Sequence, residues 1–334
     1  MGLNDFWFLL VAVLWTGYLF LEGFDFGVGI LTRLLARDRT ERRVLINIIG
    51  PVWDGNEVWL ITAAGAMFAA FPVWYATFFS GFYLLLLLAL LLLIVRVLSF
   101  EYRHKRPEES WQRNWELVLF VSSVLLPFLW GMMFANMVRG VPINSQQDFA
   151  GSFGDLLNWP ALLGGLAFVA LCTLHGAVFT ALKTVGDIRA RARAFATKAA
   201  VFTLFLGGGL LIWIHAERGT AETAVALAVA VVGLLGTLAM NARAREGWAF
   251  TFTGVAIAAT VAAIFLALAP DVMPSSLNDA WNLTIDNSAS GPYTLKMMTW
   301  VAVIVTPLVL LYQGWTYWVF RKRIGTQHIA DAVH

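Results

Sequence analysis

Four carboxylates stand where apolar side chains are expected. Glu22 and Asp25 fall in the apolar run that starts at Phe6, and Asp54 and Glu57 fall in the segment PVWDGNEVW at 51–59. Each pair is three residues apart, so on a helix each pair shares a face. A carboxylate at the centre of a membrane helix costs about 2.5–3.5 kcal/mol on insertion scales. Four of them approach ~10 kcal/mol, against a typical net stability of about 5–15 kcal/mol. The chemistry that resolves this is proton chemistry or assembly: the acids are held neutral, a water-filled cavity solvates them, or a partner supplies cations. No Lys or Arg of the chain is expected mid-span to neutralise them. Glu22 and Glu57 also suit plain hydrogen bonding at a helix–helix contact. Asp54, flanked by Pro51 and Gly55, points more strongly to proton transfer.

The neighbours of the acids support such a site. Gly23 and Gly27 form a small-xxx-small pair that lets another helix approach. Pro51 removes one helical hydrogen bond and frees the carbonyl of Asn47 below Asp54. Trp53, Asn56 and Trp59 add a polar and aromatic patch. Asp25 lies eight residues before Arg33 and Asp54 eleven after Arg43, about 12 and 16 Å deep at 1.5 Å per residue. Antiparallel helices would therefore bring the acids to overlapping heights. His175 is the one histidine clearly mid-span. It is a weak candidate for iron ligation and a better one for an interhelical hydrogen bond, since bis-histidine ligation needs a second mid-span His. Met132, Met133 and Met137 could offer thioethers but read as packing. The 25 Phe and 15 Trp suit an apolar cavity for a quinone or a gas, or plain packing.

The elements that must hold these residues are membrane helices. Of 334 residues, 59% are hydrophobic and 13% charged, with mean hydropathy +0.72; a soluble domain carries about 25% charge. The single cysteine, Cys172, excludes an intrachain disulfide, a CxxC motif and a cysteine-ligated cluster. No base precedes Phe6, so the N-terminus is not expected to be a cleavable signal, and Met1-Gly2 lacks the myristoylation pattern. At about 20 apolar residues per crossing, nine spans are expected: 6–32, 48–70, 76–98, 117–137, 160–182, 199–216, 223–240, 249–269 and 297–319. The run 84–93 reads as facing lipid. Of the 23 basic residues, only Arg139, Arg218 and Lys296 fall outside one set of alternating loops; Arg96 is counted with that set. The positive-inside rule then puts the N-terminus outside and the C-terminus in the cytoplasm. Residues 138–159 and 270–295 read as outer loops, and Trp74, Trp159, Trp281 and Trp318 as interfacial anchors. The expected fold is all-α and polytopic, as two four-helix bundles and one extra helix: 1–137 with the acids, 138–270, and 271–334 with the last helix and a cytoplasmic tail.

The motifs carry a resemblance. EGFDFGVGILTRLL at 22–35, TERRVLINIIGPVWDGNEVWLITAAGAMFAAFP at 40–72, FSGFY at 79–83, FEYRHK at 100–105, VMPSS at 272–276 and TLKMMTWVAVIVTPLVLLYQGWTYWVF at 294–320 closely resemble subunit II of the cytochrome bd-type quinol oxidases. The likeness runs through essentially the whole chain, and DGNEVW is its most specific block. It implies a bacterial plasma-membrane complex that reduces O₂ to water with electrons from a quinol. Haems b558, b595 and d and the quinol site would belong to the partner, subunit I. This haem-free chain would pack against that partner, stabilise its haems and line routes for protons or O₂. On the same basis Asp54 corresponds to an acid on a proton route, Asp25 to a buried acid near it, and Trp59 to a residue beside an O₂ channel. Glu57 and His175 stand where other members carry Gln, so the resemblance assigns neither. Small accessory subunits and bound lipid or quinol are compatible with it; nucleic acid is not an expected partner.

Two other classes compete. A proton-coupled secondary transporter also carries intramembrane acids and broken helices, but here the acids cluster in the first two spans and no matching broken pair appears in the second half. A pure assembly scaffold would use the acids only to pair with a neighbour's arginines.

Overall fold

The computed structural model describes residues 2–329; Met1 and the last five residues of the expected cytoplasmic tail lie outside the described residues. The chain is helical almost throughout. In order it forms α1 (Leu3–Leu34), α2 (Arg39–Ile49), α3 (Trp53–Ala70), α4 (Pro72–Gly81), α5 (Tyr83–Tyr102), α6 (Glu109–Arg139), α7 (Trp159–Lys183), α8 (Gly186–Arg218), α9 (Ala221–Ala242), α10 (Glu246–Leu268), the short antiparallel strands β1 (Asp271–Met273) and β2 (Leu283–Thr284), and α11 (Pro292–Val319).

Eight of these helices are long and apolar enough to cross a membrane: α1, α5 to α10, and α11. The segment expected as the second span is divided. Pro51 sits in a turn between α2 and α3, so it separates two helices instead of kinking one, because its ring cannot continue the hydrogen-bond ladder. The 18-residue α3 opens on Asp54 and Glu57, which is why it reads as less apolar than the rest. The segment expected as the third span is also divided. Pro72 starts α4 and Phe82 separates α4 from α5.

Helix α1 is the hub, packing against α3, α6, α7 and α10. Its contact with α3 is antiparallel. Trp15 Nε1 donates to Met67 Sδ at 3.4 Å, and three turns further along α1, Asp25 meets Asn56. Glycine permits the α1–α7 crossing. A Cβ on Gly27 would collide with the Cys172 carbonyl and stand 2.7 Å from Gly176 Cα, so the two backbones touch. At Gly23 a Cβ would meet Cys172 Sγ at an ordinary 3.5 Å; of the expected glycine pair, only Gly27 is required by packing.

The two ends of the bundle differ. At one end, α2 lies across the helix termini, and Arg191 pairs with Glu41 at 2.6 Å and Arg42 with Glu116 at 3.1 Å. At the other end, the loops 140–158 and 270–291 fold together. Val141 bridges Ser275, Ser275 Oγ donates to the Ile143 carbonyl at 2.7 Å, and Gly140 takes φ +88° against the Pro274 carbonyl. Arg139 and Arg218 belong to this second end, where Arg218 Nε donates to the Val138 carbonyl at 2.6 Å. Helix α11 stands apart: Leu295 is its one buried residue, and Trp300, Leu308, Leu311, Tyr312 and Trp315 are all exposed.

Candidate functional site

The site forms where α1, α3, α5 and α11 meet. Glu22 and Asp25, one helical turn apart on α1, are both fully buried. Opposite Glu22 lies Arg96 of α5, also with no exposed surface; its Nη1 donates to Glu22 Oε1 in a direct ion pair. This corrects the expectation that no base of this chain reaches the acids. Helix α5 runs on to Tyr102, so Arg96 sits six residues, about 9 Å, inside its end and belongs to the span, not to the loop. Its guanidinium also lies over the rings of Phe26 and Phe100, 4.9 and 5.4 Å from their centroids, where cation–π attraction replaces part of the lost hydration.

Asp25 is held from the α3 side. Its Oδ2 accepts from Asn56 Nδ2 at 2.7 Å, and the same amide reaches the Leu21 carbonyl at 3.4 Å. Asn56 Oδ1 in turn accepts from the Tyr317 hydroxyl at 2.7 Å and from Gln313 Nε2 at 3.4 Å. Gln313 Oε1 accepts from Trp59 Nε1 at 2.9 Å. Asn56 is therefore a two-sided connector, tying a buried acid on α1 to the polar stripe of α11.

The polar groups of this region are incompletely matched. Among the described residues, Glu22 Oε2, Asp25 Oδ1, Glu57 Oε1, and Arg96 Nε and Nη2 are buried without a hydrogen-bond partner. Glu57 and Asp25 both lie within electrostatic range of Arg96. One guanidinium thus pairs with Glu22 and lies within electrostatic range of two further carboxyl groups. Leaving such groups unpaired costs roughly 1–3 kcal/mol each, more when charged.

Asp54 lies apart from the buried acids. It is exposed, in the first turn of α3, and lines a cavity of about 520 Å³ between α3 and α11 together with Pro51, Asn56, Trp59, Gln313 and Tyr317. A carboxylate there is favoured by the helix N-terminus. The cavity wall nonetheless includes Asn56 and Tyr317, so Asp54 and Asp25 flank the same connector from opposite sides.

His175 is fully buried, with Nδ1 2.7 Å from Thr253 Oγ1, Nε2 3.0 Å from the Phe20 carbonyl, and its ring stacked on Phe250 at 4.6 Å. Protein atoms engage both ring nitrogens, so the residue does not fit a haem ligand. Met132, Met133 and Met137 are buried in the core. Sequence reasoning missed Arg96, Gln313, Tyr317 and Gly176. A signal for Arg96 exists: a lone base six residues before the end of the helix, in the run YLLLLLALLLLIVRVLSF. Gln313 and Tyr317, four apart on α11, offer the same-face spacing of a polar stripe.

A sequence profile of the family described as "Cytochrome bd terminal oxidase subunit II" matches residues 3–320. The chain is 45% identical over 329 residues to the "Cytochrome bd ubiquinol oxidase subunit 2" of Bacillus subtilis (strain 168), covering 97% of each. It is 36% identical over 370 aligned positions to the "Cytochrome bd-I ubiquinol oxidase subunit 2" of Escherichia coli (strain K12), covering 99% of this chain and 98% of the other. Its fold matches a chain of the bd oxidase from Geobacillus thermodenitrificans with TM-score 0.78 at 19% identity, over 96% of this chain and 98% of that one. A secondary transporter is not favoured by these matches. The buried acids, the split second span and the sequence likeness converge, and the chain belongs to the cytochrome bd terminal oxidase subunit II family.

Proposed function

We propose that this chain serves a quinol-oxidising terminal oxidase of a bacterial plasma membrane as the haem-free subunit. A haem-bearing subunit I carries haems b558, b595 and d and the quinol site, and small accessory subunits are compatible with the arrangement. All nine spans cross the bilayer with the N-terminus outside: the eight long apolar helices, with α3 as the ninth. The spans form two four-helix bundles, α1, α3, α5 and α6 in the first and α7 to α10 in the second, with α11 as the extra helix.

The chain's own chemistry is proton handling. Reducing O₂ to two waters consumes four electrons and four protons, and those protons must reach a dry site. If they come from the cytoplasm, each charge moved across 100 mV is worth about 2.3 kcal/mol. Asp54 takes up protons at the α3–α11 cavity, with Trp59 on its wall. Asn56 holds Asp25 with one oxygen engaged and one open. Glu22, Asp25 and Glu57 share the charge of Arg96, so a proton added to one acid relieves repulsion at the others. Asn56 carries no proton itself; it fixes acceptors between which water or a carboxyl proton moves.

The observation that supports this reading most is the mismatch at Arg96: one base against three acids, with five buried polar atoms unpartnered. The test is to make Asp25→Asn and Asp54→Asn separately in the intact complex, then compare haem absorbance with oxygen uptake. The expected result is retained haem with turnover slowed at least about tenfold, the lower part of the range that a positioned proton carrier contributes. Unchanged turnover removes the relay. Loss of haem together with activity assigns the acids to assembly instead.

A further inference from the structure

At the end of the bundle where α2 lies, α1, α2 and α6 enclose a cavity of about 350 Å³ that the oxidase reading does not use. Its wall carries Arg33, Arg39, Arg42 and Arg113 against Glu109 and Glu116. The acids are already committed. Arg39 pairs with Glu109 at 2.9 Å, and Glu116 takes Arg42 at 3.1 Å and the almost fully buried Arg103 at 3.4 Å. Arg33 lies over the ring of Phe120, 6.0 Å from its centroid, and among the described residues neither Arg33 nor Arg113 has a carboxylate partner. Five guanidiniums therefore meet two carboxylates. Arg103 has two buried nitrogens without a hydrogen-bond partner. Burial lowers its hold on its proton, Glu116 opposes that, and Arg43, Arg42 and Arg39 reinforce it.

The aromatic cluster beside the cavity points to the anion's source. The first turns of α6 carry Trp111 and Trp115, whose rings lie 5.7 Å apart, and Trp115 lies 5.6 Å from Tyr102; Trp111 Nε1 donates to the Tyr102 carbonyl at 2.8 Å. Such a cluster marks the headgroup level of a bilayer. Arginine forks match phosphate geometry, and basic pockets between membrane helices on the cytoplasmic side take anionic headgroups.

We infer that the Arg33, Arg39, Arg42 and Arg113 cavity binds the phosphate of an anionic phospholipid in the arginine-rich leaflet. Arg33 and Arg113 supply the free positive charge, and Arg39 and Arg42 shape the wall. The lipid stitches α1, α2 and α6 together just beyond the buried acids of α1.

The test uses the intact oxidase complex in phosphatidylcholine nanodiscs with increasing phosphatidylglycerol, read as the rise in its thermal midpoint. Wild type and Lys322→Gln, a charge loss at a distant site, should saturate at the same phosphatidylglycerol fraction. The Arg33→Gln/Arg113→Gln variant should bind about 30-fold more weakly and so stay short of saturation over the same phosphatidylglycerol range, since roughly 1 kcal/mol per arginine is lost. Its haem spectrum in pure phosphatidylcholine should match wild type. Should the double variant fail to assemble, Arg113→Gln alone carries the test, with about a fivefold shift expected on the same scale. Unchanged saturation overturns the site. Stabilisation by inorganic phosphate alone, lost in the same variant, makes it a free-anion site and overturns the lipid. Separation of the two subunits in the variant at every lipid composition assigns the cavity to an acidic segment of the partner chain, and also overturns it.

Discussion

Of the buried glutamates that face arginine, Glu246 and Glu22 are built to opposite plans. Glu246, at the start of α10, is 3% exposed and receives three guanidiniums. Arg189 reaches its Oε1 at 2.8 and 2.6 Å, Arg193 approaches the same oxygen at 3.7 Å, and Arg323 reaches Oε2 at 3.3 Å. Both carboxylate oxygens are filled. Glu22 is buried completely and has one guanidinium on one oxygen, with its second oxygen unmatched and two further acids nearby. The first arrangement is saturated with positive charge and pins elements together, including the segment after α11, whose Ile324 backbone bonds to Lys183 and Val185 at 2.9 and 3.2 Å. The second is short of positive charge in a place where water is scarce. A protein that needed only a helix clamp would repeat the first plan. The shortfall at Glu22 makes chemical sense where protons come and go.

Removing Arg96 gives the largest expected effect on this contrast. Arg96→Leu strips the guanidinium from Glu22 and from its acidic neighbours, and breaking a buried pair from one side costs about 3–5 kcal/mol. The complex is expected to be recovered in low yield with little haem absorbance. Arg96→Leu combined with Glu22→Gln removes the stranded charge and should restore much of the haem content without restoring turnover. A single Arg96→Leu variant with full haem and full turnover would break the comparison.

The matching change at the other site is smaller. Glu246→Gln leaves one carbonyl oxygen for three guanidiniums that now repel one another. It should lower stability by roughly 1–3 kcal/mol, visible as a drop in the thermal midpoint of the purified complex. Oxygen uptake per haem should stay at the wild-type value. A turnover defect without a stability defect would mean that the charge-saturated site also handles protons.

How far the sequence discloses this site depends on which physical signal each residue leaves. Acids in apolar runs announce themselves by their cost, so Glu22, Asp25 and Glu57 are legible from the amino-acid order alone. Gly27 is legible as a small residue on a helix face, but its partner Gly176, far along the chain on α7, has no local mark. Arg96 resists such a reading because charge near a span end is ordinarily a loop feature; where α5 ends is set by tertiary packing, which a hydropathy window does not see. Asp54 reads as lying well inside one continuous helix, whereas Pro51 divides the segment and Asp54 falls in the first turn of α3. Long α-helices and alternating basic loops survive in sequence because the bilayer imposes them. Pairings such as Asn56 with Tyr317 arise only when α3 and α11, distant in sequence, are brought side by side.

That pairing supplies the smallest and most discriminating change. Tyr317→Phe deletes one hydroxyl and its 2.7 Å bond to Asn56 Oδ1, leaving the longer 3.4 Å contact from Gln313 to hold the amide. A neutral hydrogen bond is worth about 0.5–1.5 kcal/mol net, and α11 is otherwise almost unburied, so the thermal midpoint should barely move. The Asn56 amide should nonetheless lose orientation, and with it the hydrogen bond that fixes Asp25. If Asp25 works as an acceptor on a proton route, turnover should fall by about fivefold, the kinetic equivalent of roughly 1 kcal/mol, with haem content unchanged. If the cluster at Glu22 is only a looser version of the clamp at Glu246, Tyr317→Phe should leave turnover where it was, because a clamp one bond weaker still clamps.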